Sequence, residues 1–304
     1  MSVVTEKPGR RAGGRSYTPQ MPVEHRSHTR TDLPEVVEAL ASWEAGAGYA
    51  GDCLHAGDLG WYLRHPDEHV DGTVHSWWEA GRMVAVSIVE GQVARPRVAP
   101  DRLDDDGVAS VVADDVSRLL PEHAWTDAQE ATAHRRVLLG RGWRPDEAWV
   151  VFHLDLDGTP LPATTGVGPT GDAVDERVAL QRSGFERSTF TAEGWHRMAA
   201  APGFRPELDL VARDADGTAV AAATAWSAGP GRCGLLEPVA THADHRGAGH
   251  GRRVVQAAVQ ALAASGAAAV RVATRQSNTS GVRLYESAGI PPVEVITTLT
   301  RGGA

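Results

Sequence analysis

The sequence predicts an α/β protein made of two similar units that follow each other along the chain. In each half of the 304 residues, two strand-like runs form a hairpin and alternating strands and helices follow. The segments LLGRGWRP (residues 138–145) and YESAGIPP (residues 285–292) parallel each other at equivalent places. A stretch rich in Gly, Pro and Thr at residues 158–171 is expected to link the two units.

The elements of the first unit, expected at residues 31–157, follow from hydrophobic patterns. A helix is predicted over residues 31–46, where Val36, Leu40 and Trp43 recur on one face. The runs VHSWW and MVAVSIV, joined by EAGR, predict a hairpin, and QVARPRVAP predicts the next strand. The remaining predicted elements are a helix at 106–120, a strand in HAWTD, a helix at 131–139 and a strand in AWVVFHLDL.

The second unit, expected at residues 172–304, repeats this order. Helices are predicted at 172–182 and 192–200, and LDLVAR and TAVAAATAW form a hairpin through the turn sequence DADG. Next come a strand in CGLLEPVATH, an amphipathic helix in GRRVVQAAVQALAASG, a strand in AAAVRVATR, a helix in RLYESAGI and a closing strand in PVEVITTLT.

The composition narrows the classes of function. With 42% hydrophobic and 23% charged residues, the chain has an ordinary globular composition. The net charge of −9 argues against a nucleic-acid partner, although residues 1–30 are basic and are expected to form a disordered arm. No apolar run is long enough to span a membrane, and no signal peptide is evident. Two cysteines fit a reducing cytoplasm, and the preference for Arg over Lys suggests a GC-rich bacterial genome.

The most informative stretch is EPVATHADHRGAGHG, from Glu237 to Gly251, which joins a strand to a helix. Glycines let the backbone turn tightly, and the first amides of a helix lack intrahelical partners, so this arrangement suits an anionic phosphate group. Two commoner phosphate loops are excluded. The dinucleotide fingerprint needs a third glycine where this chain has Arg252, and a Walker loop needs G-K-[ST], which is absent here.

At these residues the sequence resembles the GNAT superfamily, the acyl-CoA-dependent N-acetyltransferases. Arg246-x-x-Gly249-x-Gly251 matches the family signature [QR]-x-x-G-x-[GA], and Asn278 and Tyr285 in RLYESAGI resemble the family's N…LYxxxGF element, with Ile290 in place of Phe. The resemblance implies two tandem GNAT-like units, each a mixed, mostly antiparallel sheet flanked by helices. The tandem arrangement is similar in architecture to mycothiol synthase. This resemblance does not imply that the two proteins share a substrate.

The resemblance implies two catalytic residues. Glu237 would act as general base on the acceptor ammonium group, because only the neutral amine is a nucleophile; the alternative is an edge carboxylate before Pro238. Tyr285 would protonate the departing CoA thiolate; the alternative is a packed aromatic ring. Acetyl-CoA, as co-substrate, would be bound by the backbone or side chains of Val239, Thr241, Arg246, Gly247, Ala248, Gly249, His250, Gly251 and Asn278.

Several of these residues have a structural alternative. Val239 and Thr241 could simply pair in the sheet, and Asn278 could cap the helix that follows it. Within the loop, His242, His245 and His250 could suggest a metal site, but a loop that wraps phosphate makes this improbable. Asp209 and Asp214 are expected to be strand and turn residues, and the tryptophans expected to line an acceptor pocket are Trp195 and Trp226.

The two units differ at the position of the phosphate loop. In the first unit this position reads VAPDRLDDDG, where Asp104, Asp105 and Asp106 would repel a pyrophosphate and no G-x-G is present. We therefore expect a degenerate first unit, with a structural role or as a wall of the acceptor site, and a catalytic second unit.

The predicted function is acetyl-CoA-dependent N-acetylation of a primary amine of a small molecule, for example a natural product or an antibiotic, by direct transfer. The alternatives are a protein or peptide N-acetyltransferase and a non-catalytic acyl-CoA-binding module. The oligomeric state is not addressed by the sequence.

Overall fold

The computed structural model describes residues 22–51 and 53–302, which form one continuous sheet of twelve strands with helices packed on it. In the first half the elements are β1 Glu24–His28, α1 Leu33–Ser42, α2 Ala56–Tyr62, α3 Asp67–Val70, β2 Val74–Glu79, β3 Arg82–Glu90, β4 Val93–Val98, α4 Asp106–Leu119, β5 Ala124–Thr126, α5 Ala133–Gly140 and β6 Arg144–Asp155. In the second half they are β7 Val167–Pro169, α6 Val174–Gly184, α7 Ala192–Ala199, β8 Asp209–Arg213, β9 Ala219–Trp226, β10 Cys233–Thr241, α8 His250–Ala264, β11 Ala269–Arg275, α9 Thr279–Ala288 and β12 Pro292–Arg301.

The strand order shows that the two halves exchange their last strands. The order is β1-β2-β3-β4-β5-β12-β6-β11-β10-β9-β8-β7. Strand β12 therefore lies between β5 and β6 of the first half, and β6 lies between β12 and β11 of the second. Among the described strands, only β4 with β5 and β10 with β11 pair in parallel, at equivalent places in the two halves. The predicted mixed, mostly antiparallel sheet is confirmed, and the exchange joins both halves into one sheet.

Helix α8 illustrates how the hydrophobic pattern places an element. Its residues at helical spacing are buried in the core of the second half, as the sequence predicts. In the first half, the apolar face of α4 packs in the same way against the sheet through Val108, Val112 and Val116. Both cores are therefore continuous with the single sheet. No helix of the described residues is long and apolar enough to span a membrane.

The two halves also meet through α2, which packs on β9 and β10. A Cβ atom at Gly57 or Gly60 would come within 2.4 Å of the Trp226 side chain, so both positions require glycine for this approach. Trp226 is 2% exposed, and its indole lies between α2 and the core of the second half. Helix α2 therefore brings residues of the first half to the edge of β10.

Four elements differ from the sequence-based expectation. Strand β1 lies within the segment expected to be a disordered arm, and that expectation is wrong for these residues; residues 1–21 lie outside the described part. Strand β1 reads EHRSH, in which only His28 is buried, so it lacks apolar alternation and is held by its pairing with β2. Strand β7 lies within the predicted linker and pairs with β8. Neither helix α2 nor the single-turn helix α3 was predicted.

Candidate active site

The site begins where two parallel strands part. Strands β10 and β11 pair only from Cys233 to Leu235, after which β11 continues alongside β6 and β10 alongside β9. The register of β10 against β9 shifts between Leu236 and Val239, and the Glu237–Pro238 peptide bond in this bulge is cis. The edge of β10 that faces β11 is therefore unpaired from Glu237 to Thr241, and its backbone groups are available to a ligand.

The loop after β10 leads into α8 without a side-chain cap. Gly247 and Gly249 have φ values of +81° and +83°, a left-handed conformation that strains most other residues. Gly249 is the N-cap and offers no side chain to the first amides of α8. A Cβ atom at Gly251 would lie 2.8 Å from Thr241 Oγ1, so glycine is needed for α8 to start this close to β10. The helix thus presents open amides, at the positive end of its dipole, beside the unpaired strand edge.

The unpaired edge of β10 and the start of α8 open into one cleft, which has a volume of about 1940 Å³. Every predicted site residue except Ala248 lines this cleft. Ala248 is exposed in the turn between two glycines and is not among the lining residues. The cleft is lined by several arginines of the second half, and two of them, Arg246 and Arg252, flank the start of α8. This end of the cleft fits an anionic group.

Glu237 and Tyr285 both line the cleft, from β10 and α9. Burial raises the pKa of Glu237 well above its usual range, and the neighbouring Asp58 carboxyl raises it further. Burial also raises the pKa of the Tyr285 phenol, and the charge of Glu237 adds to this effect. At neutral pH the tyrosine is therefore a protonated donor, and a glutamate with a raised pKa is suited to accept a proton from an ammonium group.

The comparison with protein families identifies the second half. Residues 176–290 match the model of the acetyltransferase (GNAT) family. This part of the chain is a GNAT acetyltransferase domain. The matched segment contains β10, the α8 loop, Asn278 and Tyr285, so the signature predicted from sequence lies in the cleft described above. The family and the fold support acyl-CoA-dependent acetyl transfer.

Solved structures show that the GNAT-like fold extends over nearly the whole chain. A GCN5-related N-acetyltransferase from Sphaerobacter thermophilus shares 20% identity with a TM-score of 0.54, covering 93% of this chain and 98% of that one. A tandem GNAT protein from the clavulanic acid biosynthesis pathway shares 14% identity with a TM-score of 0.54, covering 93% and 100%. N-myristoyltransferase from Saccharomyces cerevisiae, solved with bound myristoyl-CoA, shares 12% identity with a TM-score of 0.57, covering 95% and 81%. The search of curated proteins finds no match.

Within the GNAT domain, Asn278 is engaged as a helix cap. Its Oδ1 accepts hydrogen bonds from the Gly281 amide at 3.1 Å and from Ser280 Oγ at 2.9 Å. Its Nδ2 donates to Thr274 Oγ1 at 3.0 Å. The side chain lines the cleft but is held by these bonds, which favours the capping alternative.

Two expectations about aromatic residues need correction. Neither Trp195 nor Trp226 lines the cleft. The Trp195 indole donates to Asp209 Oδ2 at 2.8 Å, and Trp226 donates to the Glu237 carbonyl at 2.7 Å from its packing site against α2. The aromatic residues that line the cleft include Trp61 and Phe190, whose ring centroids lie 5.1 Å apart, and also Trp125, Trp149 and Phe185. Sequence position suggested the wrong tryptophans because the approach of α2 is a tertiary contact.

Asp209 and Asp214 take the strand and turn positions expected from the sequence. Asp209 is buried in a hydrogen-bond network with Arg177 and Thr224, and Asp214 accepts backbone amides in the β8–β9 turn. In the described residues, the side chains near enough to share a metal ion are His65, His69 and Glu90, away from the loop histidines. His250 begins α8, and its Nδ1 lies 3.3 Å from Arg253 Nη2.

Among the charged residues of the cleft, Asp58, Arg64, Arg95 and Asp127 come from the first half and were not singled out in the sequence. Arg95 Nη2 donates to Asp58 Oδ1 at 2.9 Å, and Arg95 Nε donates to Asp127 Oδ2 at 3.1 Å. No local pattern marks these residues, since they come from three separate segments of the chain, around α2, in β4 and after β5. The only hint is that Asp58 is a charged residue between the two glycines of α2.

The equivalent helix start in the first half is closed. Asp105 caps α4, and its Oδ1 accepts from the amides of Gly107 at 3.0 Å and Val108 at 3.1 Å. Its Oδ2 accepts from Arg102 Nη1 at 3.0 Å. The amides that would receive a phosphate are therefore already bonded to a carboxylate of the chain.

Proposed function

We propose that the protein transfers an acetyl group from acetyl-CoA to a primary amine of a small molecule, by direct attack. The proposal rests mainly on one observation: Glu237 and Tyr285 line the same cleft, between the unpaired edge of β10 and the open start of α8. A base and an acid are the two groups that amine acetylation requires.

The residues present fit acetyl-CoA. The amides of His250 and Gly251 and the side chain of Arg246 would hold the pyrophosphate. The backbone from Val239 to Thr241 would hold the pantetheine arm as an added strand, and an amide there would stabilise the negative charge that develops on the thioester oxygen. Arg246 is itself positioned by donating to the Gly184 carbonyl at 3.0 Å.

Glu237 would remove a proton from the acceptor ammonium group, and the neutral amine would attack the thioester carbon. The carbon–nitrogen bond forms, the carbon–sulfur bond breaks, and Tyr285 donates its proton to the leaving sulfur. No nucleophilic cysteine lines the GNAT half of the cleft among the described residues, which supports direct transfer.

A small cationic amine fits the other end of the cleft. In the described part of the chain, the first half lines the cleft with four carboxylates and three tryptophans against two arginines, of which Arg95 is paired with Asp58 and Asp127. A wall contributed by both halves also favours a small acceptor over a peptide.

Substitution of the two proposed catalytic residues tests this function. We expect Glu237→Gln and Tyr285→Phe each to lower kcat by on the order of 10²-fold or more, while acetyl-CoA affinity stays within about threefold. Turnover is measured with acetyl-CoA and a panel of small amines, by detecting free CoA thiol. An unchanged kcat in both variants would contradict the proposed roles of Glu237 and Tyr285. Turnover of peptides but of no small amine would show that the acceptor is a peptide.

Calorimetric titration with acetyl-CoA tests whether the protein binds this co-substrate and at how many sites per chain. One site per chain is expected, because only α8 presents open amides of the two equivalent helix starts. Two sites would contradict the assignment of the first half, and absence of binding would remove the proposed function. Binding without turnover over the whole amine panel would favour the non-catalytic acyl-CoA-binding module.

A further inference from the structure

The base proposed above is not an isolated side chain. Asp58 of α2 lies in hydrogen-bond contact with Glu237 of β10, so two carboxyl groups from different halves of the chain meet in the cleft. This contact depends on the close packing of α2, because Gly57 and Gly60, on either side of Asp58, lie directly against Trp226.

Both carboxyl groups are held in place by other parts of the chain. The Asp58 side chain is 4% exposed; its Oδ1 accepts from Arg95 Nη2 at 2.9 Å and its Oδ2 from the His55 amide at 2.6 Å. The main chain of Glu237 is fixed by the indole of Trp226, which donates to its carbonyl at 2.7 Å. The two carboxyl groups are therefore fixed parts of the packed interface between the halves.

We propose that Asp58 is a positioning residue for Glu237, that the two carboxyl groups share one proton in the resting protein, and that together they form the subsite for the ammonium group of the acceptor. This inference rests on the proposed role of Glu237 as base. It makes the first half a working part of the acceptor site, and it restricts the acceptor to an amine that arrives as a cation.

The surrounding charges decide which member keeps the proton. Although burial alone would raise it, the Arg95 guanidinium lowers the pKa of Asp58, with hydrogen bonds from Glu237 and the His55 amide adding to the effect. Burial and the Asp58 charge raise the pKa of Glu237, while Arg95 and Arg64 oppose this only in part. The proton therefore lies on Glu237, since two ionised carboxylates in contact would repel each other.

The other titratable groups that face the two carboxyl groups are consistent with a proton on Glu237. Asp127 shares Arg95 with Asp58, and burial raises the pKa of Asp127 despite that guanidinium. Tyr285 remains a neutral phenol, because burial raises its pKa. His55 is fully buried, and burial lowers the pKa of its imidazole, so it is neutral.

A bound ammonium ion would change the balance of the pair. Its positive charge stabilises the ionised form of Glu237, so the shared proton leaves to solvent when the acceptor binds. Glu237 then accepts one proton from the ammonium nitrogen, whose lone pair attacks the thioester carbon. After the carbon–nitrogen bond has formed, the nitrogen loses its second proton, which restores the Tyr285 phenol that has given its own proton to sulfur. One proton is released per turnover.

Infrared titration of the protein tests the pair without any acceptor. We expect a protonated carboxyl C=O band near neutral pH that is absent in Glu237→Gln, which assigns the band to Glu237. In Asp58→Asn, the midpoint at which this band disappears should fall by at least about one pH unit, because the neighbouring negative charge is lost. In Arg95→Gln the midpoint should rise, and in the control Asp146→Asn, a cleft carboxylate that is exposed and bonded to Trp125, it should stay unchanged.

Two results would overturn the inference: a Glu237 carboxyl that is already ionised at neutral pH, or an Asp58→Asn midpoint equal to that of the wild type. Acetyl-CoA titration shows whether Asp58→Asn is folded, because Asp58 is not part of the α8 loop, and the opposite shift in Arg95→Gln gives a second test should the first variant unfold. Failure of the proposed function would instead appear as absence of turnover, with the infrared result intact.

With an amine that is turned over, the pH profile gives a further readout. Activity rises as Glu237 loses its proton, so a lower pKa moves the rise in kcat/KM to lower pH. We expect this acidic limb to shift downward in Asp58→Asn while KM for the cationic amine increases. A role of Asp58 in folding alone would leave the position of the limb unchanged.

Discussion

Helices α4 and α8 begin at equivalent places in the two halves, each after a strand that pairs in parallel with the next strand of its half. The first amides of α4 are bonded to the carboxylate of Asp105, whereas α8 begins at Gly249 and has no side-chain cap. The same fold therefore provides the same position twice, and the residue at the cap decides whether a phosphate could reach it.

Although its own helix start is closed, the first half still takes part in the cleft of the second half. Its α2 and β4 contribute Asp58 and Arg95 to the cleft of the second half, and the exchanged strands β6 and β12 make the two halves inseparable as one sheet. The first half can therefore lack a phosphate site and still keep its fold, because each half completes the sheet of the other.

The largest expected effect comes from copying the closed helix start onto the open one. Gly249→Asp places a carboxylate beside the α8 amides, and we expect the Kd for acetyl-CoA to rise about 10- to 100-fold through repulsion of the pyrophosphate. Gly249→Asn is the matched control, since Asn has nearly the same shape and tolerates a positive φ equally well. The ratio of the two Kd values, measured by calorimetry, isolates the charge, and a ratio near one would contradict the α8 assignment.

A smaller effect is expected from the contact between α8 and β10. Gly251→Ala places a Cβ atom 2.8 Å from Thr241 Oγ1 and 3.2 Å from Leu284 Cδ1, so the free energy of unfolding should fall by about 1–2 kcal/mol. In Gly140→Ala, the new Cβ meets nothing within 4 Å, and stability should stay equal or rise slightly. Denaturant unfolding of both variants measures the difference. Equal stability would show that α8 can move away from the strand at little cost.

The smallest effect is expected from removing the charge at the closed helix start. Asp105→Ser retains a capping oxygen for the α4 amides but loses the ion pair with Arg102, which should cost about 0.5–1 kcal/mol of stability. The number of acetyl-CoA molecules bound per chain should stay at one, because the first half still lacks the glycine loop. A second calorimetric site in this variant would mean that the charge alone had closed the position.

The sequence predicted most of the elements and the segment from Glu237 to Gly251 that lines one side of the cleft, because these depend on local patterns. The helical spacing of Val254, Val255 and Leu262 and the strand run before Glu237 each lie within one segment of chain. The weak elements were missed for the same reason: β1 consists of polar residues, and β7 is three residues long inside a stretch rich in Gly and Pro. Such strands exist because a partner strand supplies hydrogen bonds.

The sequence by itself determined the α/β class, the duplication, the family signature from Arg246 to Gly251 and the difference between the two helix starts. Only the tertiary structure decided that the halves exchange their last strands, and that Asp58 meets Glu237. The physical reason is that a carboxyl pair or a strand exchange joins segments far apart in the chain, through packing such as that of α2 on Trp226. No periodicity or spacing within either segment records such a contact.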